Sequence, residues 1–201
     1  STPILEFSEV FQKSLGNSSD VVTKEMYTFN DRNDESLTLR PEGTAGIARA
    51  LISNGFTQTL PQKYFYYGPM FRYERPQQGR LRQFNQVGLE FFGKGSYLED
   101  CEVIRAAHHF LMDLGIQKDV VLKINTIGKL DSRKNFIKEI KNYFNKNKTK
   151  LSSDSLKRLD RNPLRILDSK APEDKELLKA APIIYNFLKQ EEIESFENVK
   201  K

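Results

Sequence analysis

Residues Tyr66–Gly93 read YYGPMFRYERPQQGRLRQFNQVGLEFFG. Aromatic and β-branched residues alternate on either side of Pro76-Gln77-Gln78-Gly79, which predicts two antiparallel strands joined by a turn. Successive side chains of a strand point to opposite sides. On the returning strand Val87, Leu89 and Phe91 therefore share one face, the expected core, while Phe84, Gln86, Gly88 and Glu90 share the other. On the outgoing strand Tyr67, Phe71 and Tyr73 alternate with Arg72 and Glu74. The pattern thus gathers Arg72, Glu74, Gln86 and Glu90 on one surface.

A ribbon with one face in water accounts for alternation alone. Three residues ask for more. Gly88 leaves an empty position amid the polar face, as where a ligand or backbone comes close. Phe84 is a large aromatic on that same side. Arg75, Arg80 and Arg82 crowd the turn, and their mutual repulsion is relieved when a polyanion arrives.

Composition sets the wider frame. The chain has 201 residues, enough to bury a core, and 32 Lys and Arg against 27 Asp and Glu give a net charge of +5. That surplus is compatible with an anionic partner and is also common among soluble proteins. Cys101 is the only cysteine, so no intramolecular disulfide or thiolate metal cluster forms, which fits a reducing, cytoplasmic setting. No apolar run approaches the ~20 residues of a membrane-spanning helix. Ser1 in place of Met, with the first strand starting abruptly, leads us to expect a piece of a longer chain.

Around the hairpin, Ser1–Gly16 predicts a strand leading into an amphipathic helix at Ser8–Leu15, stopped by Gly16. Asn17–Lys24 is polar and reads as loop. Glu25–Phe29 and Ser36–Arg40 form a second hairpin about Asn30–Asp34, a turn rich in residues that tolerate unusual backbone angles. Glu42–Asn54 reads as a helix closed by Gly55. Tyr97–Leu114 is a helix with Val103, Ile104, Ala107, Phe110, Leu111 and Leu114 on one stripe, and Val120–Ile127 is a further strand. His108 and His109 are neighbours on that helix and point about 100° apart, so they do not chelate from one face; no metal ligand set is predicted.

Composition shifts at Gly128–Ser132. An amphipathic helix over Arg133–Lys150 turns Phe136, Ile140, Tyr143 and Phe144 inward. Further helices are expected over Ser152–Leu159, Glu173–Ala180 and Ile183–Glu194, with Pro163, Pro172 and Pro182 as breaks, and Phe196–Lys201 as a frayed end. Lysines such as Lys138, Lys141, Lys146 and Lys148 describe a solvated face.

Phe71-Arg72-Tyr73-Glu74, followed by Arg80-Leu81-Arg82-Gln83-Phe84, resembles motif 2 of the class II aminoacyl-tRNA synthetases, in which FRxE precedes a variable loop and RxxxF. Leu39-Arg40-Pro41-Glu42-Gly43-Thr44, Gln86-Val87-Gly88-Leu89-Glu90 and Asn162-Pro163-Leu164-Arg165-Ile166-Leu167-Asp168-Ser169-Lys170 extend the likeness to the bacterial histidyl-tRNA synthetases over nearly the whole chain. The resemblance implies an α+β fold: a class II synthetase-like antiparallel sheet flanked by helices, followed by a small helical insertion domain. Residues 1–128 would be catalytic core, with Pro3 closing motif 1, the dimer-building element, and 129–201 the helical insertion region approaching the tRNA acceptor arm.

It further implies ATP-dependent activation of histidine and its transfer to tRNA(His), by a cytoplasmic homodimer. Arg72 would be the catalytic cation, bridging carboxylate and α-phosphate. Glu42, Gly43, Thr44, Arg72, Gln86 and Glu90 would bind histidine. Arg72, Glu74, Arg80 and Phe84 would bind ATP, which arrives with Mg²⁺. Arg75 and Arg82 would meet tRNA phosphates. Motif 3 and the histidine-specific segment are expected downstream, so the chain alone is expected to be inactive. Two alternatives stay open: a paralogue like the regulatory subunit of ATP phosphoribosyltransferase, binding histidine without aminoacylation, and a non-enzymatic RNA-binding module.

Overall fold

A computed structural model describes every residue except Asn17, Ser18, Asp20 and Lys94. The chain forms two compact units, Ser1–Gly95 and Ser96–Lys201. This division falls earlier than the expected one at residue 128. The helix after the hairpin belongs to the second unit.

In the first unit, β1 (Leu5–Phe7) runs straight into α1 (Ser8–Leu15), and β2 (Tyr27–Asn30) and β3 (Ser36–Leu39) form a hairpin. β3 is central and antiparallel to both neighbours, in the order β1-β3-β2. Its middle holds a hydroxyl cluster instead of an apolar plug: Thr38 is fully buried and its Oγ1 lies 2.7 Å from Ser8 Oγ and 3.0 Å from Thr28 Oγ1. Each hydroxyl both donates and accepts, so the buried polar atoms satisfy one another. Part of the expected loop at Asn17–Lys24 lies outside the described residues, and Val21–Glu25 is a π-helical turn. α2 (Thr44–Ser53) buries Ala45, Ile47 and Leu51 and ends at Asn54, after which Gly55 adopts φ 70°.

β4 (Gln62–Phe71) and β5 (Gln83–Phe92) make the long hairpin, paired antiparallel from Gln62↔Phe92 to Phe71↔Gln83. Two expectations are corrected here. β4 ends at Phe71, so Arg72–Glu74 lie beyond the strand. The faces are also reversed in burial. Phe65, Tyr67, Val87 and Leu89, expected to face a core, are 79%, 70%, 49% and 40% exposed. The Phe84, Gln86, Gly88, Glu90 face is the more enclosed one, because Met70 and the Arg40–Thr44 segment pack on that side.

In the second unit, α3 (Tyr97–Asp113) starts at Ser96, whose N–H donates 2.9 Å to Glu99, and packs on α7 (Gln190–Lys200). No residue of α3 is fully buried, so its predicted inward stripe is only partly covered. Val120–Ile127 is not a strand among the described residues: it has no ladder partner, and Val121 is 77% exposed. Apolar alternation marks a segment fit for a sheet, but only a hydrogen-bonded neighbour makes it one.

α4 (Leu130–Lys146), α5 (Ser153–Arg161) and α6 (Lys175–Lys179) surround Phe136, Ile140, Phe144, Leu151, Leu159, Ile166 and Leu177. The predicted inward residues of α4 are borne out. The helix expected at Ile183–Glu194 is instead a 3₁₀ turn over Ile184–Phe187 followed by α7, which continues to Lys200 through the supposed frayed end.

Two buried carboxylates hold this unit. Asp174 accepts from Ser152 N and Ser152 Oγ, both at 2.8 Å, from Ser155 Oγ at 2.6 Å, and from Ser169 Oγ. Glu192 accepts from Ser132 Oγ, Lys189 N and Lys129 N, which gives α4 an N-terminal cap from another helix.

Candidate active site

The register of β4 and β5 sets Met70 opposite Phe84, Gly68 opposite Gln86, Tyr66 opposite Gly88 and Tyr64 opposite Glu90. Residues directly opposite share a face, so Tyr66, Phe84, Gln86 and Glu90 look the same way. Arg72 continues that side beyond β4. Its Nε donates to the Pro41 carbonyl at 2.8 Å, and its guanidinium lies 5.4 Å from the centre of the Phe84 ring.

The segment from β3 to α2 is fastened alongside. Phe71 N donates to Arg40 O at 3.0 Å; the buried Arg40 side chain donates from Nε to Pro69 O at 2.9 Å and from Nη1 to Thr2 O at 3.1 Å. Gly68 is required here, since a Cβ at that position would overlap the Arg40 guanidinium. Arg40 was read only as part of a motif, yet it bolts three backbone segments together behind the site.

Glu42, 8% exposed, uses both carboxylate oxygens on the start of α2, accepting from Thr44 N at 2.6 Å and Ala45 N at 2.9 Å. This is the helix-capping role open to a carboxylate at an N-terminus. Gly43 precedes the helix as its N-cap residue. Thr44 then reaches across to β5, donating from Oγ1 to Glu90 Oε1 at 2.5 Å. On the same face Gln86 Oε1 is a buried acceptor to which no donor is supplied among the described residues. A buried acceptor of this kind suits an incoming N–H or ammonium group.

Arg72, Glu74, Gly79, Arg80, Leu81 and Phe84 line a cleft of about 360 Å³. It brings together every residue expected to bind ATP. Arg80 Nη1 lies 3.2 Å from Glu74 Oε2, in a geometry that leaves this buried oxygen without an aligned hydrogen bond. A larger cavity, about 630 Å³, opens between α2 and β4 and contains none of the expected site residues; chemistry, not volume, marks the smaller one.

The expected tRNA contacts separate. Arg75 is exposed. Arg82 lies 4.0 Å over the ring of Tyr73 and donates from Nε to Glu74 O at 3.2 Å. Tyr73 is in turn edge-on to Tyr27, with centroids 5.5 Å apart, and its N–H donates to Glu25 O at 2.7 Å. Arg82 thus braces the base of the loop. Among the described residues no three His, Cys, Asp or Glu side chains converge to hold a metal, and no helix is long and apolar enough to cross a membrane.

Tyr66 was missed. Gly88, read as space left for a ligand, is covered by its ring: a Cβ on Gly88 or on Gly43 would overlap the Tyr66 side chain. The signal was available in the register, which sets an aromatic against a cross-strand glycine. Burial raises the Tyr66 pKa, helped by the negative charges of Glu90 and Glu42 and opposed by hydrogen bonds with Thr44 and the Gly43 backbone. The phenol is therefore neutral at physiological pH.

An α+β frame with an FRxE arm, an arginine over an aromatic ring and a nucleotide-sized cleft defines a synthetase-type core. The model of the tRNA synthetase class II core domain (G, H, P, S and T) matches residues 27–192, and the chain belongs to that family. Within it, the chain is 53% identical over 199 residues, 99% of its length, to histidine–tRNA ligase of Gluconacetobacter diazotrophicus. It is 52% identical over 200 residues, 100% of its length, to histidine–tRNA ligase of Prochlorococcus marinus (strain MIT 9312). Apo histidyl-tRNA synthetase of S. aureus superposes on the whole chain with a TM-score of 0.67 at 33% identity. The chain spans about half the length of the curated relatives it matches, 48% and 47%, and 44% of the solved chain.

Proposed function

We propose that this chain builds the motif 2 side of a histidine–tRNA ligase site, where histidine and ATP form histidyl-adenylate before transfer to tRNA(His). The observation that carries the reading is the shared face: Arg72, Phe84, Gln86 and Glu90 lie together, with Thr44 pinned to Glu90.

In this reaction a histidine carboxylate oxygen attacks the α-phosphorus of ATP. The bond to the bridging oxygen breaks, and pyrophosphate leaves with the electron pair. No protein nucleophile is needed; alignment of two anions and stabilisation of charge spreading over the phosphorus oxygens are. Arg72, held by Pro41 O and the Phe84 ring, is the catalytic cation, and its planar fork bridges carboxylate and α-phosphate. Glu74 reads the adenine edge, Phe84 stacks on the ring, and Arg80 takes the terminal phosphate. Mg²⁺ enters with ATP.

Thr44 and Gln86 meet the ammonium group. Glu42 supplies negative charge nearby while its oxygens hold Gly43 and Thr44 in place. Glu90 accepts from the imidazole N–H. A carboxylate there rejects an apolar isostere, which would leave it unpaired. Arg75, exposed at the turn, meets tRNA phosphates, with Arg82 beside it. The reading keeps 1–128 as catalytic core, 129–201 as an insertion facing the acceptor arm, and a cytoplasmic homodimer.

Titration calorimetry tests this. Histidine and ATP should each bind the chain, and Glu90→Ala should abolish histidine binding while leaving ATP binding in place. Salt-sensitive RNA binding without affinity for either small molecule would replace the proposal with an RNA-binding module.

A further inference from the structure

Tyr66 is the aromatic residue of β4 directly opposite Gly88. Its ring fills the space over both Gly43 and Gly88, so strongly that neither position can carry a Cβ without a shift. These glycines come from different elements, the entry to α2 and the middle of β5. The floor between them is therefore a phenol ring and not bare backbone. The hydroxyl is hydrogen-bonded with the Thr44 side chain and the Gly43 backbone. Thr44 has one proton, and it goes to Glu90 Oε1. Its oxygen is thus left to accept from Tyr66, and the polar chain runs Tyr66 to Thr44 to Glu90.

We infer that Tyr66 is a specificity-determining positioning residue for the amino-acid substrate: it sets the depth of the pocket with its ring and orients the Glu90 carboxylate through Thr44. One carboxylate oxygen is occupied by Thr44, which leaves the other for a single N–H of a small, planar heteroaromatic side chain. A hydroxyl chain of this kind fixes direction as well as distance, because reversing one link reverses the other. Tyr66 acts on the ligand through its neighbours, so removing its hydroxyl should disturb the amino-acid half of the site and spare the nucleotide half.

This rests on the histidine-binding reading above, and the experiment separates the two. Histidine and ATP are titrated into the full chain and into its Tyr66→Phe, Thr44→Val and double variants, with thermal melts alongside. The expected result is a roughly tenfold loss of histidine affinity for Tyr66→Phe, with ATP affinity within about twofold and the melting temperature unchanged, as for one net hydrogen bond to a charged network. The double variant should lose no more than Thr44→Val alone, since both break the same chain. Wild-type histidine affinity in Tyr66→Phe, or losses that multiply in the double variant, would overturn the role of Tyr66 and leave the site assignment standing. Failure of the unmodified chain to bind histidine would overturn the assignment and this inference together.

Discussion

Arg80 and Glu74 face one another at 3.2 Å across the mouth of the cleft, so the residue proposed to hold a terminal phosphate stands against the one proposed to read adenine. Arg80 is mostly exposed, and such a pair contributes little to stability. Arg80→Ala should therefore leave the melting temperature almost unchanged and weaken ATP about tenfold while leaving AMP unaffected. Parallel titrations with the two nucleotides check this; an equal loss for both would remove Arg80 from the phosphate.

Arg72 is held by one carbonyl and one ring. A lysine reaches the carbonyl but presents no flat fork to two anions. Arg72→Lys should lower affinity for a non-hydrolysable histidyl-adenylate analogue by about 100-fold, ~2.7 kcal/mol, the scale of losing one aligned donor. Competition binding measures it, and a change below threefold would deny Arg72 its bridging place.

Arg40 joins Thr2, Pro69 and the end of β3. Its truncation leaves buried carbonyls without donors and a void behind them. Arg40→Ala should cost about 2–4 kcal/mol in the first unit, read as an earlier urea midpoint in the tyrosine signal. Gly68→Ala should behave likewise, since the new methyl takes the guanidinium's place.

Asp174 and Glu192 should make the second unit acid-sensitive. Burial pushes Asp174 up, but hydrogen bonds from Ser152, Ser155 and Ser169 prevail and hold it at about 2. The Ser132 hydroxyl and the Lys189 and Lys129 N–H groups outweigh burial and hold Glu192 at about 2. Both folded values lie below the ordinary carboxylate range near 4. The stabilisation is therefore complete above about pH 4 and lost as pH falls towards 2. Helical circular dichroism from pH 6 to 2 should show this loss, and Asp174→Asn should lower stability by about 2 kcal/mol at neutral pH and flatten the acid limb.

Much of the frame was legible because it is local. Gly16 and Gly55 stop helices where their backbone angles require, and alternation in Gln83–Phe92 sorts the site residues onto one face. The buried side of the hairpin was not legible, since alternation says which residues go together and not which set is covered. Val120–Ile127 failed for a related reason: strand character depends on a partner remote in sequence. Within the site, the cleft residues followed from the FRxE pattern, whereas Arg40 and Tyr66 act by filling space between segments that only the register brings close. Glu42 shows a further limit, since acidity at a helix start suits a ligand and a cap equally, and the backbone N–H groups of Thr44 and Ala45 have taken both of its oxygens.

The greasy back of the β4–β5 ribbon, Phe65 and Tyr67 above all, governs how this chain behaves in a test tube. Concentrating it, or adding ammonium sulfate, should drive molecules together through that side, and light scattering should rise with concentration well before any helix melts. Threonine at positions 65 and 67 should keep the chain dispersed without touching the nucleotide side, because those side chains point away from Phe84 and Glu90. Clear solutions of the chain are therefore obtained by treating that back, not by tuning the charge of its front.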